Sequence, residues 1–422
     1  MTNAFKKRVQ QFVGRITKSK DGKTLIANFG YLSLLQIASY VLPLITMPYL
    51  ARIIGVEGFG KIAFASAIIV WFQTIADWGF NYTATRDVAK NRENIEFVSD
   101  VFSRVFWARC VLMIISFVVL FFLIVAIPQF KECAGIIFVT FLLIPGHIMF
   151  PDWLFQAMER MKFITYLNLL TKLLFTVLVF LFIKDKGDYM LQPLFVSLGY
   201  VVSGLIAMYI IIYRWNVKLR LAEFRTIVWT IKSSTDVFIN NIMPNFYNSF
   251  SSVVLGLWGG QAANGLLDAG SRFVNIAIQF LSVITRTFYP FLSRRIDQHA
   301  MFARVNIVIA IFATIIVFWY SPFLIHLFFT EEFEESILVL RIMSFSVLFV
   351  ALSNTYGMNY MLVQGYDKQL RILTTWCSLF GFVIALPLIY IHTYIGAAIV
   401  ITVTRGLLGF SALLYVKRRL IK

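Results

Sequence analysis

The sequence predicts an all-α, polytopic membrane protein with about twelve transmembrane helices. They form two six-helix lobes related by a pseudo-two-fold axis, with both termini cytoplasmic. Three observations carry this reading. Of 422 residues, 59% are hydrophobic and only 14% are charged, whereas a soluble chain carries about a quarter charged residues. Apolar runs of about 20 residues, each long enough to cross the hydrocarbon as a helix, recur from end to end. The basic residues fall almost entirely in alternate connections. Disorder is excluded by the shortage of polar residues, and a collagen-like repeat by the ordinary counts of 23 Gly and 10 Pro.

The spans are expected near 25–51, 60–84, 105–127, 134–155, 163–183, 190–213, 235–258, 265–290, 305–327, 336–362, 370–391 and 394–416. The basic stretch 214–234 is the longest connection and divides the chain. This gives a basic cytoplasmic segment (1–24), an N-lobe (25–213), a basic cytoplasmic linker (214–234), a C-lobe (235–416) and a basic tail (417–422). The start is polar and basic up to Lys23, which is unlike a cleavable signal peptide and suits a segment resting on anionic headgroups.

Orientation follows from the loops. Of the 38 Lys and Arg, 29 lie in the segments assigned to the cytoplasm, including Arg86, Arg104 and Arg109, and 5 in the opposite loops. The positive-inside rule accounts for this asymmetry, and with it for most of the net charge of +17. Nucleic acid is therefore not an expected partner. A weak internal repeat supports two related halves: Gly55 to Gly60 and Gly260 to Gly265 share Gly-x4-Gly at an offset of 205, followed by Ser66 and Ser271. Halves of the same sense imply an axis along the membrane normal, with a substrate between them.

The four remaining bases, Lys172, Arg272, Arg341 and Arg405, fall inside spans. In the eighth span Asp268, Arg272, Asn275, Gln279, Ser282 and Arg286 follow steps of three and four, so one helical face is polar throughout. Such a face cannot look at lipid, since a charge at mid-bilayer costs about 3 kcal/mol or more. Either it glues helices together or it walls a wet cavity. Shorter stripes recur at Ser33, Gln36 and Tyr40 in the first span and at Gln73, Asp77 and Asn81 in the second. Asn241, Asn245, Asn248 and Ser252 form another beside Pro244 in the seventh. Polar faces thus gather in spans 1, 2, 7 and 8, equivalent positions of the two halves. Only Asp268 is a clear mid-span acid, so the interior retains excess positive charge and calls for a mobile anion. Guanidinium forks suit phosphate oxygens.

Other chemistry is not supported. Cys110, Cys133 and Cys377 are far apart, the four histidines are scattered, and no metal-spaced cluster occurs. No Gly-x4-Gly-Lys-Ser/Thr phosphate loop is present. No cofactor is expected. A coupling proton or Na⁺ would use Asp77 or Asp268. The run from Glu331 to Glu335 reads as a solvated acidic patch on the outer side.

Asn28 to Tyr31, Gln36 and Leu42 to Gly60 closely resemble the opening of the polysaccharide-biosynthesis flippases. These are the Wzx-type O-antigen repeat-unit translocases of the multidrug/oligosaccharidyl-lipid/polysaccharide exporter superfamily. Gly79, Phe80 and Ala84 to Ala89 are similar to that family's second-helix end, Gly265 to Phe273 to the start of its eighth helix, and Pro290 to Arg294 to that helix's exit. The eighth helix departs at Asp268 and Arg272, where relatives vary. The resemblance implies a multi-pass inner-membrane protein of a Gram-negative bacterium. Its substrate would be an undecaprenyl-diphosphate-linked oligosaccharide moved to the periplasmic leaflet by alternating access, among bilayer lipids and beside the pathway's polymerase and chain-length regulator. On that reading Arg272, Arg341 and Arg405 meet the diphosphate, Asn245, Asn248, Asn275 and Gln279 meet sugars, and Lys172 and Gln36 are further substrate-binding candidates. The rival readings are a drug/cation antiporter of the same superfamily, whose cargo a cationic interior would repel, and a membrane polymerase or ligase, for which the outer loops are short. A non-transporting scaffold would have no use for the polar stripes.

Overall fold

The computed structural model describes residues 20–420, without the side chains of 20–29, 32, 33, 40, 290 and 420. Lys6, Lys7, Arg8, Arg15, Lys18 and Lys422, with most of the 1–24 segment and the side chains of Ser33 and Tyr40, lie outside the described residues. Among the described residues all regular structure is helical. Nine segments of the described residues are long and apolar enough to cross a membrane. Two of them are double. Lys20–Asp77 breaks at Gly55 (φ 63°), and Asp367–Leu420 breaks at Thr393 (φ 48°). At Gly55 the chain reverses: Tyr49 donates to the Ile183 carbonyl at 2.7 Å on the way in, and Gly58 packs on Tyr189 on the way out. Dividing both segments leaves eleven membrane-length helices among the described residues. The seventh expected span is instead three pieces, Thr235–Ile242, a tight turn Met243–Phe246 around Pro244, and Ser249–Trp258. Proline removes a backbone donor and crowds the preceding turn, which accounts for the interruption.

Some boundaries differ from those expected. The third helix starts at Ile95, ten residues before the apolar run, because the Asn94 side chain accepts from the Phe97 amide and caps it. Arg104, expected in a basic loop, is therefore helical, and Arg109, counted with the basic cytoplasmic residues although it falls within the expected span, is only 1% exposed. The ninth span runs His299–Trp319 and restarts as Ser321–Phe328 with Pro322 in its first turn. The 214–234 linker contains a helix, Phe224–Ser233, that carries exposed Phe224 and Trp229 and buries Ile227 and Thr230.

The internal repeat is physically realised. Gly55 and Gly260 both take positive φ, 63° and 81°. A Cβ on Gly60 would fall 1.6 Å from the Gln261 carbonyl oxygen, and one on Gly265 would fall 2.2 Å from that of Val56. At an offset of 205, Gln261 is the counterpart of Val56, and Gly265 of Gly60. The contact is thus reciprocal, as a two-fold relation requires. Glycine at both places lets the two backbones meet.

These crossings close the side opposite the basic loops. Phe59 packs edge-on against Phe329 and Phe333, and Phe333 is fully buried. The acidic run is not merely solvated there: Glu332 accepts from the Val56 amide at 3.1 Å and lies 3.8 Å from Lys186, so it bridges the lobes. On the basic side, Trp78 stacks on Phe238 with centroids 3.8 Å apart and donates to the Ile231 carbonyl, tying the second helix to the linker.

Candidate functional site

The eighth helix, Gly260–Leu292, supplies the core of the site. Its steps of three and four place Asp268, Arg272, Asn275 and Gln279 on one face, where Asn275 and Gln279 are exposed in the gap between the lobes. Arg272 donates through Nε and Nη2 to Asp268 Oδ2 at 2.8 and 2.6 Å, an i,i+4 pair one-third exposed. The Phe59 ring lies 5.1 Å from the guanidinium. Farther along, the same face serves as glue: Asn354 donates to Ser282 at 3.4 Å. Both meanings of a polar stripe therefore hold, on different turns.

Arg272 stands where three cavities meet. The first, of ≈ 230 Å³, lies against the first, fifth and sixth spans and takes in Asn168, Thr171, Lys172, Gln192 and Tyr200. The second, of ≈ 260 Å³, runs between Ser39, Pro43 and Met47 of the first helix and Asn275 and Gln279 of the eighth. The third, of ≈ 460 Å³, is walled by the second, seventh, eighth and twelfth spans, with Asn248, Ser252, Asp268 and Arg405. Its second-helix wall is Ile62, Ala63, Ser66, Ala67 and Val70, and its eighth-helix wall is Leu267, Asp268, Ser271, Arg272 and Asn275. These are counterparts at the 205 offset, one by one. The two helices present equivalent faces, and only the eighth has acquired charges.

The cations are not cancelled. Lys172 has no ion pair within 4 Å among the described residues. Arg405 donates to Asn248 Oδ1 at 3.2 Å and contacts the Tyr247 hydroxyl, while its Nη1 is buried without a hydrogen-bond partner. With Asp268 the only carboxylate lining these cavities among the described residues, Lys172, Arg272 and Arg405 leave two positive charges uncompensated there.

Of the residues expected from the sequence, Arg272, Lys172, Arg405, Asn248, Asn275, Gln279 and Asp268 line these three cavities. Four do not. Arg341 donates to Ser321 Oγ at 3.1 Å and lies over Phe318. Met343, two residues on and about 200° round the helix, takes the cavity-facing position instead. Asn245 donates to Thr74 Oγ1 at 3.0 Å, because the turn at Pro244 rotates it away from Asn248 and towards the second helix. Gln36 is half-buried, one turn before the first-helix wall begins at Ser39. Asp77 is ion-paired to buried Arg109, on the basic side near the linker. The sequence reading missed Asn168, one turn before Lys172, and Gln192 and Tyr200. The last two share a face with Val196 at steps of four, a signal the stripe search passed over.

Residues 25–296 match the family described as polysaccharide biosynthesis protein. Two relatives carry the name "Putative O-antigen transporter". That of Escherichia coli (strain K12) is 28% identical over 408 residues, 93% of this chain and 97% of its own length. That of Shigella dysenteriae is 22% identical over 396 residues, 92% and 99% of the two lengths. Among solved structures, lipid II flippase MurJ in an inward closed conformation is similar with a TM-score of 0.75 at 13% identity, over 91% of this chain and 87% of that one. An inward-facing multidrug resistance MATE family transporter of the MOP superfamily is similar with a TM-score of 0.61 at 16% identity, over 89% and 94%. At these identities the likeness shows the fold, which is that of the MOP-superfamily transporters.

Proposed function

Because the chain belongs to the polysaccharide biosynthesis protein family, we propose that it is a flippase for an undecaprenyl-diphosphate-linked repeat unit of O-antigen or a related polysaccharide. It would carry that unit from the cytoplasmic to the periplasmic leaflet of a bacterial inner membrane by alternating access. The chain is a multi-pass membrane transporter. One observation carries the finer reading: Lys172, Arg272 and Arg405 against Asp268 make the gap between the lobes net cationic. Placing such charge within a membrane is costly unless water or an anionic cargo compensates it. A diphosphate supplies that compensation, and Arg offers paired N–H donors to its oxygens. Asn248, Asn275, Gln279 and Gln192 supply amides that can replace the hydration of sugar hydroxyls. The opening between the first and eighth helices is bordered by Pro43, Leu44, Met47 and Ile276, apolar side chains along which the lipid tail can stay in the bilayer.

The same charge sets this reading above a cation antiporter, whose cargo would be repelled. A coupling proton or Na⁺ is assigned to Asp268 in preference to Asp77, since both pair with an arginine but only Asp268 borders the cavity. Deleting the gene tests the function directly. Lipid-linked repeat units should accumulate on the inner leaflet and surface polysaccharide should be lost. Accumulation of single repeat units already exposed on the outer leaflet would instead identify a polymerase.

A further inference from the structure

A second cluster of cations lies outside the cavity, on the basic side, where the N-lobe meets the linker. The helix Phe80–Lys90 continues the second span past the break at Trp78 and Gly79, and brings Arg86 and Asp87 beside Arg104 of the third helix. Arg86 donates to Asp87 Oδ1 through Nε at 3.1 Å and Nη2 at 3.0 Å. Arg104 Nη2 lies 3.8 Å from Oδ2 of the same carboxylate. Two guanidinium groups thus share one acid and leave a positive charge over.

Arg104 is 15% exposed, and its Nε is buried without a hydrogen-bond partner. The Trp229 ring covers the guanidinium at 5.3 Å. Beside them is a cavity of ≈ 160 Å³, lined by Arg86, Arg104, the Asp87 they share, and the hydroxyl residues Thr83, Thr230, Ser233 and Ser234. One water needs about 10–15 Å³ of such space, so a phosphoryl group with its oxygens fits. Arginine forks are the chemistry that recognises phosphate oxygens, and the Thr230 and Ser233 hydroxyls, which here donate to the Thr226 and Thr230 carbonyls, would turn to join them.

We propose that this pocket binds a phosphoryl anion, held by Arg104 and Arg86 and by hydroxyls of the linker helix. Thr83, Arg86 and Arg104 belong to the N-lobe, whereas Thr230, Ser233 and Ser234 belong to the segment leading into the seventh span. A bound phosphoryl group therefore ties the linker to the N-lobe, reinforcing the 2.8 Å Thr83–Ser234 hydroxyl contact, and favours the arrangement closed on the opposite side. The ligand can be the headgroup of an anionic lipid or a free phosphate. Leu221 and Phe224 of the same linker are strongly exposed apolar side chains, which suits contact with lipid beside the pocket.

The test uses the full-length protein, purified free of anionic lipid, with thermal unfolding followed in two arms. One arm titrates sodium phosphate against sodium chloride of equal ionic strength. The other compares phosphatidylcholine nanodiscs with and without phosphatidylglycerol. A saturable rise in unfolding temperature is expected in at least one arm. Arg104→Gln should weaken it about tenfold or more and Arg86→Gln severalfold, as loss of a charged phosphate contact implies. A response to the lipid alone assigns a headgroup, and a response in both arms assigns the phosphoryl group itself. Because the central cavity is also cationic, Arg272→Gln serves as the control: it removes any response that comes from that cavity and should keep the component that Arg104→Gln and Arg86→Gln lose. Arg86 is 64% exposed, so its variant reports even where Arg104→Gln fails to fold. No response in either arm, a wild-type response in the Arg86 variant, or a response abolished only by Arg272→Gln would overturn the proposal.

Discussion

Charge reversal in Arg272→Glu is expected to abolish surface polysaccharide while the protein still inserts and folds. The residue borders all three cavities, so its replacement changes the potential throughout the gap. A charge-assisted contact contributes about 1.5–3 kcal/mol, which alone corresponds to a loss of roughly ten- to a hundredfold. Reversal adds repulsion between the new carboxylate, Asp268 and the anionic cargo. Folding should survive because the site is open to water and a like-charged i,i+4 pair costs only about 0.2–0.5 kcal/mol. Arg272→Lys should keep part of the activity, having the charge without the fork. The exchange Asp268→Arg with Arg272→Asp restores the ion pair at the wrong position, and should fold and stay inactive. Flow of lipid-linked oligosaccharide in reconstituted vesicles, with immunodetection of inserted protein, measures both parts. Wild-type transport by Arg272→Glu would remove this residue from the site.

Asp77→Asn is expected to damage the fold rather than the cargo site. Arg109 is fully buried, its Nε and Nη1 lack partners, and Asp77 is the carboxylate that neutralises it. Removing one member of a buried ion pair costs about 3–5 kcal/mol, because the other charge is left unpaired. The variant should unfold at a lower temperature in detergent and accumulate poorly. Arg109→Met combined with Asp77→Leu should recover most of the loss, since an apolar pair of similar volume carries no desolvation penalty. A fully stable Asp77→Asn protein that had lost transport would return Asp77 to the coupling site.

The two carboxylates considered for coupling show what a sequence can convey. Asp268 and Arg272 are four residues apart on one helix, and the helical repeat alone places them together. Asp77 and Arg109 are on different helices, and their pairing depends on how the third helix starts. Its polar first turns, capped by Asn94, stand before the apolar run, so hydropathy begins the helix ten residues late and leaves Arg109 in its first turns at the basic edge, where burial against Asp77 is not expected. Arg341 illustrates a related gap: periodicity says which residues share a face, and only packing decides where that face points. The Pro244 turn was visible as a break, yet the rotation it imposes between Asn245 and Asn248 was not. The glycine repeat conveyed more than expected, because it marks the place where the halves touch as well as the relation between them.

The rate of thiol labelling within the gap tests most directly whether it is wet and cationic. Asn275→Cys, in a chain with Cys110, Cys133 and Cys377 replaced by serine, places a thiol beside Arg272 on the shared wall of two cavities. Anionic and cationic thiosulfonates of similar size can then be compared from the basic side. Two uncompensated charges should favour the anionic reagent by about tenfold at low salt, with the preference shrinking as salt screens the site. It should reverse or vanish in Arg272→Glu. An unreactive thiol, or one that reacts faster with the cationic reagent in the wild-type background, would contradict a water-filled, positively charged gap.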